Sequence, residues 1–255
     1  MNWWTVDQVP GIDGRATTAS SSAELHLNLT LVNNWPIPRA RVMEICHKYN
    51  NGTATGNHGG NIKPSSVLAL GNRLFAGVQC MTYFDSADPS FLGRQRAWNA
   101  WIITSEDSGV TWNATATPVD FFTGRLTNPM FINAGRGFDG APDSYIYVHF
   151  PAASGPDTAY WDGNDYILLG RVPRDQILVR EAYEFYQAGI DEHEGTWSAS
   201  SASASKVFEF EHMTGQDHTF YSPQLRRYIL PNYGFMDPQT GVPTGWHGLY
   251  LVHAI

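Results

Sequence analysis

Short apolar runs and turn residues alternate along most of the chain. Residues 67–70, then Gly71-Asn72-Arg73, then residues 74–83 read as two strands joined by a tight turn. Residues 98–104 and 110–114 complete a four-stranded unit. A second unit takes residues 129–132, 145–150 and 166–171, and a third takes 219–221, 227–230 and 249–252. Strand-like pieces also occur at 25–32 and 41–49. Residues 175–187 alone carry helical spacing, through Ile177, Ala182 and Phe185, so the pattern predicts one short helix inside 174–188. The serine-alanine run 198–205 is a low-complexity loop rather than a domain linker, because strand signals resume directly after it. The fold class predicted is all-β, a β-propeller of four-stranded antiparallel blades in one domain over 1–255. Residues 1–62 form an atypical N-terminal blade or the remnant of one. The last residues stop inside a strand signal, as expected of a truncated product or an excised fragment.

Composition narrows the function classes. The chain is 42% hydrophobic, 13% aromatic and only 16% charged, which excludes a disordered chain or a coiled coil. A net charge of −8 argues against nucleic acid as a partner. Thirteen Arg against three Lys favour planar, bidentate contacts. No run of about 18 apolar residues could span a membrane as a helix, and no signal peptide is visible. Three Asn-x-Thr sequons, at Asn28, Asn51 and Asn113, nevertheless argue against a simple cytosolic reading. Cys46 and Cys80 either pair or are two buried thiols, and no residue spacing indicates a metal.

The most specific local motif is Ser105-Glu106-Asp107-Ser108-Gly109-Val110-Thr111-Trp112, which resembles the Asp-box of sialidases and other propellers. Asp107 can accept from backbone N–H groups of its own turn, Gly109 supplies the bend, and Trp112 opens the next strand and packs between sheets. The motif reads as a structural turn rather than as chemistry.

Four further stretches, in this order, resemble one family: residues 63–68 (Lys-Pro-Ser-Ser-Val-Leu), 140–147 (Gly-Ala-Pro-Asp-Ser-Tyr-Ile-Tyr), 169–173 with 183–186, and 221–228 (Tyr-Ser-Pro-Gln-Leu-Arg-Arg-Tyr). They are similar to secreted five-bladed propellers catalogued as a domain of unknown function, whose characterised bacterial members are endo-D-arabinanases. The resemblance covers about residues 60–255 and leaves the first blade atypical or missing. It implies a five-bladed fold, an extracellular location, and hydrolysis of a furanose-containing polysaccharide without a cofactor. The acidic first blade usual in that family has no counterpart in residues 1–62, which puts one catalytic carboxylate in question.

Strand direction alternates within a blade, so the 105–112 turn and the loop holding Asp143 share one face, and the long loops collect on the other. Loop 84–97 carries Asp85, Arg94 and Arg96; loop 151–164 carries Asp157, Tyr160 and Trp161; loop 232–247 carries His247. Connections between blades add Lys63, Asp120, Arg125, Asn128, Asp217 and His218. The catalytic candidates are Asp217, Asp85 and Asp157, since a glycosidase needs an acid and a second carboxylate. The substrate-binding candidates are Lys63, Arg94, Arg125, Asn128, Trp161, His218 and His247. Lys63, Asn128 and Asp217 are expected to face one pocket. Three functions compete: the hydrolase, a non-catalytic carbohydrate-binding propeller that has lost its acid pair, and a sialidase-like enzyme. All take a polysaccharide or oligosaccharide as partner, and the chain is expected to be a monomer.

Overall fold

A hairpin sets the frame of the first sheet. In the computed structural model, β3 (Asn61–Leu70) and β4 (Arg73–Tyr83) are joined by Gly71-Asn72, with Gly71 at φ 61°. A glycine in that backbone region at the first loop position is what a primed two-residue turn requires. The structure describes residues 3–6, 29–32, 61–83, 95–135, 138, 140–155, 159–161, 163–189, 195–215, 218–236 and 243–253. Among them there is β-structure with short 3₁₀ turns and no α-helix. β1 (Trp3–Val6) pairs antiparallel with β2 (Leu29–Val32).

The first sheet runs β3-β4-β5-β6, with β5 Gln95–Ser105 and β6 Phe122–Thr123. The outer edge of β5 is satisfied piecemeal. β9 (Ala159–Tyr160) takes Arg96 and Ala97, β6 takes Asn99 and Ala100, and Asn113 bridges Thr104. Between them the Thr117 hydroxyl accepts from the Ile102 N–H at 2.8 Å and donates to the Ile102 carbonyl at 3.1 Å. The strand expected at 110–114 is therefore a single bridge at Asn113. The reason is local: the Asp107 and Asn113 side chains bond their own turns, and Ala114 presents its carbonyl to the Trp101 indole.

The second sheet runs β7 (Met130–Phe131), β8 (Tyr145–Ala152), β10 (Asn164–Pro173), β11 (Glu184–Gln187) and β12 (Thr196–Ser198). β13 (Lys206–Thr214) shares the outer edge of β10 with β11. The third sheet is β14 (Phe220–Ser222), β15 (Arg227–Met236) and β16 (Pro243–His253).

The helix expected inside 174–188 is not formed. The N–H groups of Gln176, Val179 and Ala182 donate to the carbonyls of Pro173, Gln176 and Val179, one turn after another at a spacing of three. A 3₁₀ turn follows at Arg180–Ala182, and then strand β11. The i→i+3 turns bury Ile177 and Tyr183 six residues apart, and Phe185 is buried from β11, so a run of turns and a strand together imitate one apolar helical face.

The leading strands of the three sheets lie side by side. Ser65 and Ser66 both donate to the Pro129 carbonyl, at 2.6 and 2.9 Å, and the Phe131 N–H donates to Ser66 Oγ. These hydroxyl contacts tie β3 to β7 where the register of β3 shifts between Pro64 and Ser66. Asn133, just past β7, forms a parallel bridge to Phe220 of β14. The core spans the first two sheets through Trp101 and a chain of rings, with Phe122 edge-on to Phe150, Tyr183 and Phe121 at centroid distances of 5.3, 5.2 and 4.8 Å. Cys80, fully buried on β4, is disulfide-bonded. The other cysteine of the sequence, Cys46, lies outside the described residues. No helix is long and apolar enough to cross a membrane among the described residues.

Candidate functional site

The two ends of the first sheet differ in chemistry. At one end the 105–112 turn closes on itself. Asp107 Oδ1 accepts from the Thr111 N–H and the Ser105 hydroxyl, both at 2.8 Å, and Oδ2 accepts from the Thr111 hydroxyl at 2.6 Å. These donors, Thr111 first, hold the carboxyl down at about 2. The Trp112 indole donates to the Gly109 carbonyl, and Ser108 N–H donates to Asn72 across the hairpin turn. Three bonds from within the turn thus engage both oxygens of this carboxylate.

The opposite end is built from β3, β9 and the start of β10. Lys63, near the start of β3, lies directly opposite Gln79 of β4. Its Nζ sits 3.5 Å from the centroid of the Trp161 ring, just past β9. Antiparallel pairing of Tyr160 with Arg96 brings the 159–161 segment onto the edge of the first sheet. Asn128 is completely buried and donates to the Tyr160 carbonyl. Asn164, at the start of β10, grips the same residue twice: Oδ1 accepts from Tyr160 N–H at 2.7 Å and Nδ2 donates to its carbonyl at 2.9 Å. Asp165 accepts from Ser154 N–H at 2.5 Å. Asn128 and Asn164 thus hold Tyr160, next to Trp161, Asp165 holds Ser154, and the Trp161 ring packs beside Met81, Ala97 and Ala159.

Of the candidates read from the sequence, the structure brings Lys63 and Trp161 into contact and places Asn128 beneath them as a loop holder. Arg125, in a 3₁₀ turn at Gly124–Leu126, donates to the Ala202 carbonyl at 3.0 Å, toward the 198–205 loop. His218 is exposed, just before β14. His247 lies in β16, paired with Gly234. Asp217, Asp85, Asp157 and Arg94 lie outside the described residues.

Three residues of this end escaped the sequence reading: Asn164, described above, Gln79 and Asp165. Gln79 is fully buried, and neither atom of its amide has a hydrogen-bond partner. Its only signal in the sequence was a polar residue inside an otherwise apolar strand. Asp165 is 4% exposed and was hidden inside the strand signal that follows it. Arg96, by contrast, was noticed as a loop residue and is a strand residue, with its guanidinium 4.1 Å over the Trp98 ring.

Away from this end, a cavity of about 260 Å³ separates the second and third sheets. Tyr147 and Tyr228 line it, but their hydroxyls donate to Asp143 and to the Gly140 carbonyl. Burial, with the Asp143 carboxylate as acceptor, pushes Tyr147 up to about 12. Among the described residues no group of three or more His, Cys, Asp or Glu could hold a metal ion.

No protein-family model matches the chain, and no curated protein matches it. Among solved structures it is similar to a candidate hydrolase from Bacteroides ovatus, at 12% identity with a TM-score of 0.41, over 74% of this chain and 44% of that one. The chain therefore spans less than half the length of that protein. A likeness this distant carries no functional information.

Proposed function

We propose that the chain is a propeller-type, glycoside hydrolase-like protein that takes a furanose-containing polysaccharide at its Lys63–Trp161 end. The observation that carries this is the pairing of a cation with an indole 3.5 Å away, next to a residue, Tyr160, that the buried Asn128 and Asn164 hold in place. Aromatic planes stack on the apolar faces of sugars, and ammonium and amide groups hydrogen-bond their hydroxyls, so the pair has the chemistry of a sugar subsite. The side-by-side leading strands β3, β7 and β14 support a propeller arrangement, as does the self-closed 105–112 turn, an Asp-box geometry at the opposite end. A disulfide at Cys80 supports an extracellular location. In this reading Asp217, Asp85 and Asp157 supply the acid and the second carboxylate.

One observation favours the binding-only reading. The buried carboxylate described at this end, Asp165, accepts from a backbone N–H and fixes a loop. The sialidase-like reading fares worse, because Arg125 is turned to Ala202 and Arg96 lies on Trp98 rather than beside it in an arginine cluster.

The test is a screen of the full chain on arabinan, galactofuranan and related polymers, with product analysis and a parallel pull-down on the insoluble polymer. Products that vanish in Asp217→Asn establish the hydrolase. Retention on the polymer without products, lost in Trp161→Ala, establishes the binding module. Neither products nor retention overturns the carbohydrate reading.

A further inference from the structure

The sequon at Asn113-Ala114-Thr115 has no part in the binding end, and its geometry is distinctive. Asn113 and Thr115 are both exposed. The Asn113 backbone is fixed by a two-way bridge to Thr104, donating at 2.7 Å and accepting at 3.2 Å. Its side-chain carbonyl accepts from both the N–H and the hydroxyl of Thr115, each at 3.1 Å. An Asn side chain closed on the backbone two residues ahead is an Asx turn. A carboxamide is planar, so an oxygen held into the turn sets Nδ2 on the far side of Cγ. The hydroxyl that the sequon requires thus donates to the carbonyl oxygen of the same carboxamide and leaves Nδ2 outside the turn. Neither residue 114 nor residue 116 is proline; both are alanine.

The position is also permissive. Asn113 pairs with Thr104, next to the 105–112 turn, at the end of the first sheet remote from Lys63. A bulky group there leaves the Lys63–Trp161 end open.

From this geometry we propose that Asn113 is a site of N-linked glycosylation. The co-reactant is an oligosaccharide carried on a lipid diphosphate, and a membrane-bound transferase joins the two. A bond forms between Asn113 Nδ2 and the anomeric carbon of the first sugar. The bond from that carbon to the diphosphate oxygen breaks, the lipid diphosphate leaves with the electron pair, and the amide proton passes to a base of the transferase. The inference rests on the extracellular reading for its biological setting but not for its test.

The full chain, behind a cleavable secretory leader, is translated in the presence of endoplasmic-reticulum microsomes, which supply donor and transferase. The Asn28→Gln/Asn51→Gln double variant isolates the remaining sequon. The expected result is one endoglycosidase-sensitive mobility shift on most of the translocated chain. Adding Asn113→Gln or Thr115→Ala abolishes the shift, and Thr115→Ser keeps it at reduced occupancy. Thr115→Ser keeps both the sequon and the hydroxyl of the turn, so its retained shift separates loss of the acceptor geometry from a general failure of the chain. A double variant with no shift, beside a control glycoprotein modified in the same membranes, overturns the proposal. Loss of polysaccharide activity leaves this readout unmoved, so the two readings fail separately.

Discussion

Asp107 is exposed, and nonetheless its carboxylate is held at about 2, against an ordinary value of 3.8, by donors from Thr111 and Ser105. A carboxylate whose folded value is depressed stabilises the fold above its unfolded value and stops doing so as pH falls toward the folded one. The contribution of Asp107 is therefore complete above about pH 4 and disappears as pH approaches 2. Asp107→Asn keeps the shape but loses the charge-assisted bonds. Its melting temperature should lie below that of the parent at pH 6, and the gap should narrow below about pH 4 and be largely gone at about pH 2. A gap that stays constant across that range would mean that charge at Asp107 does nothing for stability. Gln79 gives the opposite sign. A buried amide without partners costs about 1–3 kcal/mol of desolvation, so Gln79→Met, similar in volume and apolar, should raise stability in a denaturant titration. A Met variant less stable than the parent would show that the amide is satisfied in solution.

At the scale of elements, the contact between the first two sheets depends on a missing side chain. A Cβ on Gly77 would meet Ser65 Oγ at 2.5 Å and Pro129 Cγ at 3.2 Å. The hydroxyl it would strike is the one that donates to Pro129. Gly77→Ala should therefore cost about 1–3 kcal/mol, the usual range for overpacking, although alanine suits the dihedral angles of a strand. The turn series at 174–183 offers a second test. The buried Tyr183 hydroxyl donates to the Ile177 carbonyl at 2.8 Å, so Tyr183→Phe should cost about 0.5–1.5 kcal/mol and lower the melting temperature without changing the circular dichroism of the sheets.

These two elements also mark what could be read in the sequence. The hairpin at Gly71-Asn72 was legible because strand alternation and turn chemistry agree there. The 174–183 segment was not, since buried side chains at turns of three imitate a period of 3.6 and the intervening hydrogen bonds leave no trace in residue types. Residues 110–114 misled for a related reason: an apolar-polar run says strand, while Asp107 and Asn113 bond locally and allow only one bridge. Lys63 and Trp161 were both visible as candidates, but their contact depends on a two-residue pairing of β9 with β5, too short to give a pattern.

For the molecule as a whole, the Lys63–Trp161 contact is a junction as well as a candidate subsite, and the two roles make different predictions. As a junction it joins β3 of the first sheet to the loop leading into β10 of the second. A partly solvated cation–aromatic contact stabilises by about 0.5–2 kcal/mol. Lys63→Met keeps the aliphatic stem over the ring and removes only the charge, so a purely structural Lys63 should lose no more than that amount, with polysaccharide retention unchanged. As a subsite, the ammonium donates to sugar hydroxyls and the ring supplies a stacking surface. Lys63→Met should then weaken retention at least tenfold, equivalent to about 1.4 kcal/mol, while the melting temperature moves little. Trp161→Phe separates the roles further, because a smaller ring still packs against Met81, Ala97 and Ala159 but offers less area to a sugar. Affinity electrophoresis in gels containing arabinan, run beside thermal melts of the same three proteins, reads both quantities at once. If both variants melt lower and migrate as the parent does, Lys63 and Trp161 hold sheets together and the carbohydrate surface lies elsewhere. If they melt alike and lose retardation, the bonds from Asn128 and Asn164 to Tyr160 serve to present Trp161 to a ligand.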